Sequence, residues 1–146
     1  MDPYEALDRV LALPNLREET YRTPGAGASG RPFRVARAGD DEVVVRTSRG
    51  GRVTLRREAF AAALKVLSDL APDDPEGWVR VSDPLLVSVL GGENRDKACT
   101  SYVLPLLEAA SLVEIERRRP ARARLRAPGH EGGQGYSGRN EAGPTA

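Results

Sequence analysis

Apolar positions recur along this chain with two different periods, and each change of period marks an element. Tyr4, Leu7, Val10 and Leu11 follow helical spacing. Asp2 supplies a capping side chain, Pro3 suits the first helical position, and Pro14 stops the run. Residues 1–14 are therefore expected to form a short amphipathic helix. Three turns alone are marginal in water, so it should dock on the body or on a partner. From Phe33 the period drops to two. Phe33-Arg34-Val35-Ala36-Arg37, then residues 42–48, then Arg52-Val53-Thr54-Leu55 read as strands, separated by Gly39-Asp40-Asp41 and Gly50-Gly51. This predicts a three-stranded antiparallel β-meander over residues 33–55. In that phase Arg34 and Arg37 fall on opposite faces. One apolar face of three strands needs a cover. The helix expected from Arg56 to Leu70, with Phe60, Ala63, Leu64, Val66, Leu67 and Leu70 at core spacing, provides it.

A second group of elements follows an acidic turn. Trp78-Val79-Arg80-Val81 reads as a short strand, with Trp78 expected partly in the core. Ser82 or Asp83 then caps a helix with Pro84 just inside it, and Gly91-Gly92-Glu93-Asn94 is expected to break that helix. A further helical run is expected from Arg95 to about Leu112, capped by Asn94. Pro105 conflicts with it, at a cost of roughly 3 kcal/mol in a helix interior. A kink near Ser101–Tyr102, or a helix that re-starts there, should result. The alternation Val113-Glu114-Ile115-Glu116 and its echo in residues 121–126 predict a hairpin. With the loop at Arg118-Arg119-Pro120, Glu116 faces Arg122 and Glu114 faces Arg124, each exposed pair contributing under ~1 kcal/mol. Arg117, Arg118, Arg119 and Arg126 then have no facing acid. Residues 15–32, with Pro24 and a run of glycines, have linker composition. Residues 127–146 are Gly-rich with few apolar groups and are expected to be disordered, leaving His130 and Tyr136 as spectators.

Composition adds limits rather than detail. The chain has 146 residues, 40% hydrophobic and 29% charged, which suits one globular domain, or one domain with a small appendage. No apolar run approaches the ~18 residues of a membrane span, and the first residues do not read as a secretory leader, so the cytoplasm is the expected compartment. The net charge of +1 conceals alternation. Residues 31–60 carry 8 basic and 4 acidic groups, residues 61–94 carry 2 and 6, and residues 95–126 carry 8 and 4. Two basic blocks thus flank an acidic one, and local charge is compatible with a polyanion partner.

Catalytic chemistry finds little support. Asp40-Asp41-Glu42 is the one carboxylate cluster, and it lies at a hairpin turn. Only Lys65 and Lys97 are available to accompany an acid pair, and neither has suitable spacing. Ser82 and Ser101 lack a histidine base in the folded part, and one cysteine, Cys99, with one histidine, His130, cannot alone build a zinc site. A non-enzyme without cofactor or metal is expected.

The order helix, short strand, helix, turn, helix, hairpin over residues 56–126 resembles the winged helix-turn-helix superfamily. The residues that carry the likeness are Trp78-Val79-Arg80-Val81, Gly91-Gly92, and Ser101 to Glu108 leading into Leu112-Val113-Glu114-Ile115-Glu116. The resemblance covers about half the chain; together with the elements read above, the expected fold is α+β, a single compact domain with the β-meander followed by a winged helix-turn-helix, a short N-terminal helix and a disordered tail. The resemblance implies double-stranded DNA as partner, with Asn94, Arg95, Lys97, Thr100 and Ser101 near bases or phosphates. Arg117, Arg118 and Arg119 would form the wing tip, with Arg126 beside them. The alternative is a protein-interaction adaptor in a larger assembly, using residues 1–14 or the acidic segment 61–94.

Overall fold

A computed structural model describes residues 1–25, 27 and 30–127 of the chain. The expectations for residues 128–146 lie outside the described residues. A 3-10 turn, Pro3–Glu5, leads into helix α1, Ala6–Leu11, and the Asp2 carboxylate accepts from the Tyr4 N–H at 2.9 Å as an N-cap. Strands β1 (Tyr21–Arg22), β2 (Pro32–Ala38), β3 (Glu42–Arg46) and β4 (Arg52–Arg56) form an antiparallel sheet in that order. Helix α2 (Arg57–Leu70) follows at once. Strand β5 (Val79–Arg80), helix α3 (Pro84–Glu93), helix α4 (Thr100–Ala109), and strands β6 (Val113–Glu116) and β7 (Arg122–Leu125) complete the chain. The second sheet has the order β5-β7-β6. The fold is mixed α+β.

Helix α2 is central. Ala59 to Leu64, Val66 and Leu67 are all buried, a wider apolar surface than one stripe. Its alanines leave room for neighbours on more than one side. One hydrophobic cluster therefore runs from Phe33, Val35, Val43, Val45 and Leu55 of the first sheet, through Phe60 and Leu67, to Val79, Val113 and Ala123 of the second. Leu7 and Val10 of α1 are fully buried in the same cluster. Leu7 and Val10 are thus spent inside the molecule, while Tyr4 of the same face stays 47% exposed.

Three local expectations change for physical reasons. Residues 15–32 are not a linker throughout: Leu16 is buried, and β1 extends the meander to four strands. Tyr21 anchors this stretch, stacking on Phe33 at 5.7 Å and donating its hydroxyl to the Leu16 carbonyl. The loop beyond is closed at its base, where the Thr23 N–H donates to the Arg31 carbonyl and Thr23 Oγ1 accepts from the Arg31 N–H. Second, Gly91 and Gly92 do not break α3, which continues to Glu93. Glycine weakens a helix by only about 1 kcal/mol per residue. Third, α4 begins at Thr100, not Arg95. Pro105 accordingly lies in its second turn, and the run re-starts late rather than bending in its middle.

The first sheet holds the largest departure. The β2–β3 register is Arg34 opposite Arg46 and Val35 opposite Val45, then Arg37 opposite Val44, with a bulge between Val35 and Arg37. A bulge inserts one residue and reverses the alternation beyond it. Arg34 and Arg37 therefore share the outward face, contrary to strict period two.

Candidate nucleic-acid interface

The α3–α4 connection is built by side-chain caps and left-handed residues. Asp83 Oδ1 accepts from the Leu85 and Leu86 N–H groups at 2.9 and 3.2 Å, starting α3 over Pro84. At the other end Arg95 (φ 56) and Asp96 (φ 62) are left-handed, and the Asp96 N–H returns to the Gly91 carbonyl at 2.8 Å. This is the Schellman closure, with arginine where glycine is usual. Asn94 is 1% exposed. Its Oδ1 accepts from the Arg56 N–H at 2.8 Å, and its Nδ2 donates to the Thr54 carbonyl at 2.9 Å and the Lys97 carbonyl at 3.3 Å. Asn94 therefore fastens the turn to β4; it neither caps α4 nor reaches solvent. Thr100 is 7% exposed, and its Oγ1 is buried without a hydrogen-bond partner. Cys99 is buried and donates weakly to the Leu90 carbonyl at 3.6 Å. Burial pushes its thiol up to about 11, so it stays neutral. Of the residues expected to read DNA from this segment, Arg95, Lys97 and Ser101 are exposed, whereas Asn94 and Thr100 are turned inward.

The hairpin has the anticipated register: Glu116 opposite Arg122 and Glu114 opposite Arg124. Arg122 Nε donates to Glu116 at 2.7 Å and Arg118 Nη1 to the same oxygen at 3.1 Å. Those bonds, Arg122's first, hold the Glu116 carboxyl below its ordinary value. Arg117 departs from its expected role. It forms a two-pronged pair with Glu108 of α4, both contacts 2.9 Å, and donates to the Arg22 carbonyl. It straps the hairpin to the helix and to β1, because its partner acid comes from folding and not from the facing strand. Arg126 is also displaced. Its Nε is buried without an acceptor, and it borders a different hollow, shared with Met1, Pro3 and Leu64. Arg118 and Arg119 remain exposed at the tip. Trp78 is half-buried, with the guanidinium carbons of Arg122 and Arg124 at 4.6 and 4.2 Å from its ring centroid. It packs under these arginines as a cation–π platform and is not part of the hydrophobic cluster, which corrects its expected place in the core.

Three hollows join these pieces. A groove of about 590 Å³ is bordered by Ala98, Ser101 and Tyr102 at the start of α4, by Pro120 and Ala121 of the hairpin loop, and by Val87 of α3. A second, of about 310 Å³, lies between β4 and the α3–α4 turn, with Arg52, Arg56, Arg95 and Lys97 on its rim. A third, on the outward face of the first sheet, is lined by Arg17, Arg34, Arg46 and Arg52. Ala98 borders the first two hollows and Arg52 the last two, so the three adjoin. The starting turn of α4 and the hairpin loop thus meet at one opening, and Arg52, unremarked by motif or spacing, links the second hollow, beside the α3–α4 turn, to the sheet. Sequence reasoning missed Arg52 because its relation to Arg95 is long-range. Among the described residues no group of three or more His, Cys, Asp or Glu is placed to hold a metal ion, and no helix is long and apolar enough to cross a membrane. Comparison with protein-family models, with curated proteins and with solved structures finds no match.

Proposed function

We propose that this chain is a non-catalytic DNA-binding protein, a transcriptional regulator or the DNA-recognition subunit of a larger assembly. In this reading residues 56–126 act as a winged helix-turn-helix, with the α3–α4 turn and the first turn of α4 at the major groove and the β6–β7 loop lying on the backbone. One observation carries it: the first turn of α4 and the hairpin loop border the same open groove, with Arg95 and Lys97 on the adjoining rim. The sheet order β5-β7-β6 supports it by pairing the strand that precedes α3 with the hairpin, while β6 packs against α4. The working contact set is Arg95, Lys97, Ser101, Arg118 and Arg119. Asn94, Thr100, Arg117 and Arg126 have internal or distant placements and leave it.

The test is an electrophoretic shift of a random duplex across a salt series, comparing wild type with Arg118→Ala/Arg119→Ala. Wild type should bind at low salt. The double variant should bind more weakly, its salt slope shallower by about 1.8 if each arginine meets one phosphate. No retardation of any duplex at low salt overturns the reading. A second reading, a protein-interaction adaptor, is favoured by Leu85 and Val87 of α3, which are 50% and 39% exposed. It expects a co-purifying partner lost on Leu85→Asp and unaffected by the arginine changes.

A further inference from the structure

Arginines on the outward face of the first sheet are not distributed evenly with respect to acids. Glu42 takes two of them, Arg56 at 3.3 Å and Arg37 at 3.8 Å. Arg34, Arg46 and Arg52 stand in one row across β2, β3 and β4, each directly opposite the next. All three are exposed, and among the described residues none lies within ion-pair distance of a carboxylate. Arg17 closes the end of the row, its carbonyl accepting from Arg34 Nη2, while its own guanidinium donates to the Ala36 carbonyl. Glu18 borders the hollow and offers Arg34 its carbonyl rather than its carboxylate.

Like charges directly opposite across strands are destabilising. Nothing in the core requires arginine there, because the row points away from Phe33, Val35, Val43, Val45 and Leu55. Three guanidinium positions separated by two inter-strand gaps span about 10 Å. A duplex presents about six phosphate charges over that length of axis. Arg52 also borders the hollow carrying Arg95 and Lys97, so the row continues the basic rim beside α4.

We propose that Arg34, Arg46 and Arg52, with Arg17 beside them, form a second phosphate-binding track on the β-sheet. It extends the footprint of the same polynucleotide beyond α4 and the hairpin. The track rests on the DNA-binding reading and deepens it, since it contacts the backbone and adds affinity without sequence preference. Guanidinium groups, planar and always charged, suit phosphate oxygens better than ammonium groups do.

The full chain is titrated with a random duplex over a salt series as wild type, as Arg34→Gln/Arg46→Gln/Arg52→Gln, and as the corresponding triple lysine variant. The glutamine variant should bind with a salt slope shallower by about 2.7, and lysine should restore the slope. Circular dichroism should show the glutamine variant folded as wild type is. Wild-type binding with an unchanged slope in the glutamine variant overturns the track and leaves the DNA-binding reading standing. Failure of wild type to bind overturns both. Displacement of the duplex by polyglutamate at equal charge concentration, lost in the glutamine variant, would assign the row to acidic protein and overturn the phosphate track.

Discussion

Asn94 shows how a polar residue at a helix end is assigned by its surroundings. Its amide is satisfied by two backbone groups of β4 and β4's junction with α2, plus the Lys97 carbonyl. Asn94→Ala leaves the Arg56 N–H and the Thr54 carbonyl without this partner in a buried place. It should lower unfolding free energy by about 2–3 kcal/mol, read as a shift of the urea midpoint at constant slope. Arg57 is a comparable fastener. It reaches Asp8 at 2.9 Å, Asp41 at 3.0 Å, the Tyr4 carbonyl at 2.7 Å and the Asp40 carbonyl, tying α1 and the β2–β3 turn to α2. The acidic turn at Asp40-Asp41-Glu42 thereby has a structural use, with each of its residues engaged by an arginine.

At the scale of elements, the α3–α4 connection and the hairpin respond separately. Arg95 occupies a left-handed position that costs a side-chain-bearing residue roughly 1 kcal/mol or more. Arg95→Gly should raise stability by about 0.5–1 kcal/mol in chemical denaturation and weaken duplex binding in the same preparation. A stability gain with undiminished binding removes Arg95 from the interface. The hairpin carries part of the pH dependence, beside Asp8 and Asp74, whose carboxyls are also held below their ordinary values by Arg57 and by the Trp78 N–H. The folded value of Glu116 lies below its ordinary 4.5, so its contribution is full above that value and is lost as pH falls through the folded one. Stability should therefore rise with pH across the acid range. Glu116→Gln should flatten that rise, measured as urea midpoints at successive pH values, because glutamine keeps the shape and abolishes the titration.

Across the whole molecule, one cluster binds the N-terminal helix, both sheets and α2 to α4. Leu7 is fully buried in it. Leu7→Ala should cost about 2–5 kcal/mol and leave a single unfolding transition. A helix reserved for an external partner would lose almost nothing on the same change. The molecule also segregates its charges. Arg57, Arg117 and Arg122, each with a folded-state acid, brace elements against one another, while Arg34, Arg46, Arg52 and Arg95, with none among the described residues, border the adjoining hollows.

Apart from β1, the sequence by itself determined the order and kind of the elements. Helical and two-residue periods are local, and so are caps such as Asp2 and Asp83 and the charge ladder of the hairpin. All of them depend on residues a few positions apart, or on strands joined by one short loop. The tertiary structure alone decided which polar groups face outward. The bulge after Val35 has no glycine to announce it, yet it brings Arg37 onto the face of Arg34. Arg117 finds Glu108, Asn94 finds β4 and Arg52 finds Arg95 only when distant segments pack. A guanidinium is free or spent according to the carboxylates that folding brings within a few ångströms, and Coulomb attraction at that range is indifferent to distance along the chain.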